Sequence, residues 1–173
     1  MPFWNARRSA TRNVVDGSAA RDIQPHLEPI QLFTADGRVS GWMIALEERI
    51  LDYLSGHPVL RVCVDPRADV WESVVRDELL VVAPPPLPQP NPRRIHRQKR
   101  RMRVAVGPYV VVGVFHVPPG ASPEAYIQRA RPQFIALTDA IVGDGEQDGG
   151  ELFDVVIVNA GRIHDMETLF SLA

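Results

Sequence analysis

A dense run of positive charge is the part of this sequence best suited to binding an anionic partner. Residues 93–103 hold seven Arg or Lys side chains in eleven positions and no acidic residue. The seven are Arg93, Arg94, Arg97, Lys99, Arg100, Arg101 and Arg103. Such a run attracts phosphate groups, and a guanidinium group can bind a phosphate through two parallel hydrogen bonds. We therefore take these seven as the candidate residues for binding nucleic acid or an acidic protein surface.

The alternative for this basic run is a solvated linker, and the flanking charges favour that interpretation. Residues 30–84 carry 5 Arg against 9 acidic residues, and residues 104–173 carry 3 Arg against 9 acidic residues. The overall net charge of −2 hides this partition. The acidic segments on either side can balance the run, and short basic runs often have no specific ligand.

Catalytic chemistry has weaker candidates. Asp65 and Asp139 each follow an apolar strand-like run, and a twofold arrangement of those strands could bring them together as an acid–base pair. The simpler interpretation is that each carboxylate accepts hydrogen bonds from its own turn. Cys63 could be a nucleophile beside a histidine, but its apolar strand setting is typical of a buried, inert thiol.

Motifs for enzymes and metals are missing from the sequence. It has no HExxH, CxxC, GxSxG, GxGxxG or P-loop spacing. The acidic stretch from Asp144 to Gly149 begins like a calcium loop, but its twelfth position is Val155 in place of a carboxylate, so we interpret it as a solvated hairpin loop. We therefore predict a non-enzymatic protein with no catalytic residues, no metal site and no cofactor.

An internal repeat indicates how these residues are positioned. The segments from Ile30 to Pro84 and from Met102 to Leu169 follow one pattern at an offset of 72 to 76 residues. Each has two alternating runs around a Gly-containing turn, a short helical stretch, and two further apolar runs that end at Leu79–Val82 and Val155–Val158. The pattern predicts tandem duplication of a β-β-α-β-β unit.

Local signals support these elements. Asp36-Gly37 between alternating runs is a strong hairpin signal. Ser122 can cap a helix that has Pro123 in its first position. Gly41 and Gly113 occupy equivalent strand positions, where a glycine marks a bend or a close backbone approach.

The sequence predicts four segments. Residues 1–29 form a mostly flexible N-terminal tail, residues 30–84 the first β repeat, residues 85–103 a Pro-rich and then Arg-rich linker, and residues 104–173 the second β repeat. Each repeat is small for an independent core. We therefore expect a mainly β (α+β) fold with barrel-like halves, packed with pseudo-twofold symmetry. The predicted contact residues are Leu32, Trp42, Leu60, Val62, Val104, Val114, Phe134 and Ala136.

Two family resemblances accompany this pattern. The second repeat resembles a family of small bacterial β domains of unknown function in His116-Val-Pro-Pro-Gly120, in Phe134-Ile-Ala-Leu-Thr-Asp-Ala140, and in Val158-Asn159 with Arg162-Ile163. That resemblance implies a fold and no activity. The stretch from Ile30 to Gly41 is similar to the first motif of Sm-like proteins, which implies a small SH3/Sm-like barrel, ring assembly and RNA binding. The helix after the second strand departs from the Sm pattern, as does the lack of the Asp and Asn that hold RNA bases.

The function we expect is that of a non-enzymatic binding or scaffold protein that acts through protein–protein contacts, with self-association or another protein as partner. The alternative is RNA or DNA binding through residues 93–103. With one cysteine, no apolar segment after the N-terminal arginines and no run long enough to span a bilayer, we expect a cytoplasmic protein.

Overall fold

The computed structural model describes residues 26–46, 48–85, 97–145 and 149–171. These residues form a mainly β fold, as predicted, with ten antiparallel strands in one open sheet. The strands are β1 (Leu27–Thr34), β2 (Gly37–Ile44), β3 (Val59–Asp65), β4 (Val70–Val75), β5 (Val81–Ala83), β6 (Gln98–Val106), β7 (Tyr109–Val117), β8 (Phe134–Asp144), β9 (Glu151–Asn159) and β10 (Ile163–Ser171). The helices are α1 (Ile50–Gly56) and α2 (Pro123–Ala130), and 3-10 turns occupy Arg76–Glu78 and Ala160–Arg162. Residues 1–25 of the predicted N-terminal tail (residues 1–29) lie outside the described residues.

The sheet order is β10-β6-β7-β8-β9-β5-β1-β2-β3-β4. We call β1 to β5 with α1 the first half, and β6 to β10 with α2 the second half. Each half has three strands after its helix, so the predicted β-β-α-β-β pattern was wrong by one strand. The missed strands are β4 and β10, which lie at the two edges of the sheet. β4 buries only Val74, so its sequence does not show the apolar pattern that predicts a core strand.

This missing strand also shifts the predicted end of the repeat. Leu79–Val82 leads into the fifth strand of the first half, whereas Val155–Val158 lies in the fourth strand of the second half. Both runs are apolar because β5 and β9 are neighbours at the centre of the sheet. Their similar composition therefore reflects shared burial.

The second part of the predicted linker is a strand. β6 begins at Gln98, and Met102, Val104 and Val106 are fully buried along it. The intervening Arg101 and Arg103 lie on the opposite face, because successive side chains in a strand alternate. Alternation of apolar and basic residues is typical of a strand. The high density of positive charge led to the prediction of a linker here.

The turn and cap signals describe the local structure well. Gly37 and Gly107 both have positive φ values, of 141° and 55°, in the β1–β2 and β6–β7 turns. The Ser122 hydroxyl accepts a hydrogen bond from the Ala125 N–H at 3.1 Å, and Pro123 begins α2.

Gly41 and Gly113 lie where the second strand of each half passes close to the third. A Cβ at Gly41 would lie 2.4 Å from Val62 Cγ1 and 2.6 Å from the Cys63 carbonyl oxygen. A Cβ at Gly113 would lie 3.0 Å from Leu137 Cβ. At Gly41 any side chain would therefore obstruct the close approach of the backbone, and at Gly113 a side chain would be tightly packed.

The buried apolar residues form two cores. The second-half core contains Phe33, Leu80, Val81, Ala83, Met102, Val104, Val106, Tyr109, Val111, Phe115, Val117, Ile135, Leu137, Ala140, Val142, Val156 and Val158. The first-half core contains Ile30, Leu32, Met43, Leu54, Leu60, Val62, Val74, Leu79, Val82, Phe134 and Ile157. Each core includes residues from the other half, so neither half buries its apolar residues alone.

The predicted contact residues divide between these cores. Leu32, Leu60, Val62 and Phe134 share the first-half core, and Val104 lies in the second-half core. Val114 is buried outside both, and Ala136 is only half-buried. The prediction was wrong for Trp42, which is 38% exposed. The alternation that buries Met43 places Trp42 on the opposite face of β2.

We expect Gly41→Ala to lower the free energy of unfolding by about 1–3 kcal/mol, because the added methyl group overpacks the contact between β2 and β3. Urea denaturation measures this change. Gly56→Ala is the matched control: its Cβ would meet nothing within 4 Å, and the change should stay within about 0.5 kcal/mol. Equal effects of the two variants would contradict the close approach at Gly41.

Candidate functional site

The structure divides the predicted basic run. Arg93 and Arg94 lie outside the described residues. Arg97 precedes β6, and the other four candidates, Lys99, Arg100, Arg101 and Arg103, lie within it. We call the outward row of Lys99, Arg101 and Arg103 the basic stripe.

The basic stripe lies on one face of the sheet. Its three residues alternate with the residues that enter the second-half core, so their side chains share the opposite face. The cross-strand partners on β7 are His116 for Lys99 and Val114 for Arg101. In the described part of the chain, neither Lys99 nor Arg101 forms an ion pair.

Acidic residues on β10 balance part of this charge. Arg103 Nη1 donates to Asp165 Oδ2 at 2.9 Å, and Glu167 is the register partner of Arg103. Beside the stripe, Arg100 donates to Gln98 Oε1 at 3.1 Å. The stripe is therefore more basic at its Lys99 end than at its Arg103 end.

The structure does not bring Asp65 and Asp139 together along the sheet. Asp65 ends β3, Asp139 lies in β8, and four strands separate β3 from β8 in the sheet order. Asp65 Oδ1 accepts hydrogen bonds from the N–H groups of Arg67 and Ala68, at 2.9 and 3.2 Å. Asp139 has a positive φ of 49° where the β7–β8 register shifts. Both aspartates shape the backbone locally.

Cysteine and histidine side chains also have structural contacts. Cys63 is a buried free thiol. His57 stacks on Tyr53 with ring centroids 4.0 Å apart, and His116 hydrogen-bonds Thr138 at 2.9 Å. Among the described residues, no group of three or more His, Cys, Asp or Glu is placed to hold a metal ion. The predicted acidic hairpin loop lies partly outside the described residues, at 146–148.

An exposed apolar surface is the feature that sequence reasoning missed. On the outer face of β2, β3 and β4 lie Trp42, Ile44, Val59, Trp71 and Val75, which we call the tryptophan face. The strand register places Cys63 directly between the two indoles and Val59 opposite Val75. Ile44, Val59 and Val75 are 49%, 38% and 44% exposed. Strict alternation from Met43 would have indicated Trp42, but the exposure of β4 had no clear signal.

Polar contacts hold one indole of the tryptophan face in place. Trp71 Nε1 donates to Asp69 Oδ1 at 2.7 Å. The Arg61 guanidinium carbon lies 5.2 Å from the centroid of the Trp71 ring, in a cation–π contact. A fixed aromatic side chain loses little conformational entropy when a partner covers it.

A cleft continues from the tryptophan face at Trp42. It has a volume of about 330 Å³, and eight of its nine lining residues belong to the first half, with Phe153 from the second. Its lining residues are Pro29, Ile30, Gln31, Ser40, Gly41, Trp42, Ala83, Pro84 and Phe153. Neither Asp65 nor Asp139 lines it, so the two carboxylates do not share this cleft.

A polar bridge involves Gln31, one of the residues that line this cleft. Glu151 on β9 accepts hydrogen bonds from the Gln31 amide, at 3.0 Å, and from Arg38. The Arg38 guanidinium carbon also lies 4.8 Å from the Phe33 ring centroid. The bridge therefore joins the two halves, although Gln31 Oε1 is buried with no hydrogen-bond partner among the described residues.

Two ionisable groups have shifted pKa values, and both contribute to packing. Burial raises the pKa of Tyr109; the Asp144 carboxylate raises it further, and Arg38 partly offsets them. Burial alone would raise the pKa of Glu124, but hydrogen bonds from Thr168, from its own N–H and from Ser122 lower the pKa below its usual value. The Thr168 contact joins α2 to β10, and it is strongest when Glu124 is ionised.

Comparisons of the chain with protein-family models, with curated proteins and with solved structures found no match. None of the helices in the described ranges is long and apolar enough to cross a membrane. The surfaces of this chain are therefore the basis for assigning a function.

Proposed function

We propose that this chain is a non-catalytic binding protein that acts through protein contacts on the tryptophan face. The observation that supports this proposal is the clustering of exposed apolar residues. Of the eight large apolar residues that are exposed in the described part of the chain, Trp42, Ile44, Val59 and Val75 share this one face. Large contiguous apolar patches mark interaction sites, and Trp is enriched among the residues that dominate binding energy.

The energy available from this face is moderate. Burying the remaining apolar area of the five side chains would contribute about 5–9 kcal/mol at roughly 25 cal/mol per Å². Association itself costs about 4–15 kcal/mol in lost freedom of motion. The face alone therefore supports weak binding, and a stable complex needs further contacts close to it.

Site-specific photo-crosslinking tests the proposal in cells. A photoreactive amino acid placed at Trp42 or Ile44 should give a crosslinked protein band of defined mass, because both positions contact the partner. The band should disappear when Trp71 is changed to Ser in the same chain, since that change removes the neighbouring apolar contact.

The control places the same photoreactive group at Arg129, an exposed position on α2. No defined band is expected from that site. If Trp42, Ile44 and Arg129 all gave the same pattern, or if none gave a band, the tryptophan face would not be a binding surface.

We infer further that the two halves arose by tandem duplication of an SH3/Sm-like barrel unit. The strand order supports this: β5-β1-β2-β3-β4 in the first half corresponds to β10-β6-β7-β8-β9 in the second. Each half also has a helix after its second strand and a 3-10 turn before its fifth. Gly41 and Gly113 permit the same close approach between second and third strands. The resemblances to the small bacterial β domains and to Sm-like proteins support the same proposal for the fold only.

Nucleic-acid binding is the second candidate function, and the basic stripe supports it. Lys99 and Arg101 have no ion pair with a described residue, and they lie about 6.8 Å apart along the strand. Phosphate groups along a strand of RNA or DNA would face such a row. The Arg103–Asp165 ion pair and Glu167 weaken the field at its other end. We therefore rank this candidate below the tryptophan face.

Fluorescence anisotropy with labelled single-stranded RNA tests the second candidate. If the stripe binds phosphates, changing Lys99 and Arg101 to Ser should weaken binding and reduce the slope of log K against log salt by about 1 for each lost contact. Changing Arg129 and Arg131 on and after α2 removes the same charge elsewhere and should have little effect. Equal losses for both double variants would indicate only non-specific charge attraction.

A further inference from the structure

The sheet has two open edges, and they differ in chemistry. Within the described ranges, β4 pairs only with β3, and β10 pairs only with β6. β10 carries His164, Asp165 and Glu167 as exposed residues. The sequence of β4 is Val-Trp-Glu-Ser-Val-Val, so Glu72 is its only charged residue. Charged residues protect an edge strand against pairing with another chain, so β10 is protected and β4 is not.

We propose that β4 pairs antiparallel with β4 of a second copy of this chain, in a register centred on Ser73. This inference rests on the proposed function, because it names the partner that covers the tryptophan face. Pairing would satisfy the free backbone groups of the β4 edge and would extend the tryptophan face across the junction. These backbone hydrogen bonds would supply the further contacts that a stable complex needs in addition to the tryptophan face.

Symmetry restricts the possible registers. A twofold axis perpendicular to the sheet keeps the tryptophan faces of both copies on one side. Directly opposed residues must then point to the same side of the sheet. This condition is met only when one residue of β4 lies directly opposite its own copy, with the axis midway between the two. Trp71, Ser73 and Val75 share the outer face, so centring the pair on Ser73 aligns three outward side chains of each copy.

The neighbouring registers are less favourable. Centring on Glu72 places two Glu72 carboxylates directly opposite each other, and like charges in that arrangement are destabilising. Centring on Val74 leaves only residues 73–75 of each β4 paired. The register centred on Ser73 pairs residues 71–75 and avoids the direct opposition of carboxylates.

The favoured register also gives complementary side-chain contacts. Trp71 of one copy lies opposite Val75 of the other, and an aromatic residue beside a β-branched one is a stabilising cross-strand pair. On the opposite face, Glu72 lies opposite Val74 of the second copy, so the two Glu72 carboxylates are diagonal and not directly opposed. The edge is therefore complementary to itself in its apolar contacts.

Disulfide trapping tests the register. Under mild oxidation Ser73→Cys should form a covalent dimer, because residue 73 opposes itself across the axis at a distance that a disulfide can span. Glu72→Cys should stay monomeric, because residue 72 of the second copy lies in the diagonal position, where the two thiols are farther apart than a disulfide can span. Wild type is the control for Cys63, whose thiol is buried. A faster dimer from Glu72→Cys than from Ser73→Cys would overturn the proposed register.

Sedimentation equilibrium tests the dimer itself. The wild-type chain should approach twice its mass of 19.3 kDa at micromolar concentration. Val75→Lys places a charge at the pairing edge and should weaken the dimer by roughly tenfold or more. Leu152→Lys makes the same chemical change at a more exposed apolar residue of the second half and should leave the dimer intact.

The outcomes separate this inference from the proposed function. A chain that stays monomeric at all accessible concentrations would overturn the β4 dimer. If that monomer still gave a defined crosslink from Trp42 to a different protein, the binding function would stand with another partner. If it gave none, both proposals would fail.

Discussion

The short pairing of β5 with β9 is the interaction on which the rest of the structure depends. It joins the two halves through only two register pairs, Val81 with Val158 and Val82 with Ile157. All four side chains are buried. Because neighbouring side chains along a strand point to opposite faces, Val81 and Val158 enter the second-half core, whereas Val82 and Ile157 enter the first-half core. Two consecutive residues on each strand therefore contribute to both cores. We call this pairing of β5 with β9 the joint.

Other contacts fix the geometry of the joint. Asn159 is the one buried polar residue among those described. Its Nδ2 donates to the Leu79 carbonyl at 2.9 Å, and its backbone N–H donates to the Leu80 carbonyl.

This joint also determines which surfaces remain for binding. Each half buries one face of its strands in a core, on opposite sides of the shared sheet. The outer face of the first half is apolar around Trp42 and Trp71, and the outer face of the second half carries Lys99, Arg101 and Arg103. The two halves therefore present outer faces of different chemistry. Among the described strands, β4 and β10 are the two edges of the sheet, and they lie next to these two faces. A partner that extends an edge therefore reaches the neighbouring outer face as well.

The sequence was most informative where one local signal dominates. Asp36-Gly37, Gly107 and Ser122 identify turns and a cap because backbone geometry or an unpaired N–H requires those residue types. Gly41 and Gly113 similarly indicated close approaches.

Burial was harder to predict, because it depends on which strand is central and which is an edge. Leu79–Val82 and Val155–Val158 were equated because both are apolar, although they are the neighbouring strands of the joint. Trp42 was assigned to the contact between the repeats, and the first residues of β6, 98–103, were assigned to the linker. In each case tertiary position outweighed composition. Strict alternation would have indicated Trp42, but the exposure of β4 is visible only from the register.

Cutting the chain between β5 and β6 tests the joint most directly. A protease site can be introduced between residues 86 and 96, outside the described residues, and the cut protein analysed by size exclusion and urea denaturation. All three tryptophans precede residue 86, so tryptophan fluorescence reports on the N-terminal fragment alone, whereas circular dichroism reports on both fragments. The shared joint predicts that the two fragments elute together and that both signals change in a single transition. Fragments that separate without denaturant, each retaining its β-sheet signal, would show that the halves are independent and would contradict the two-core account.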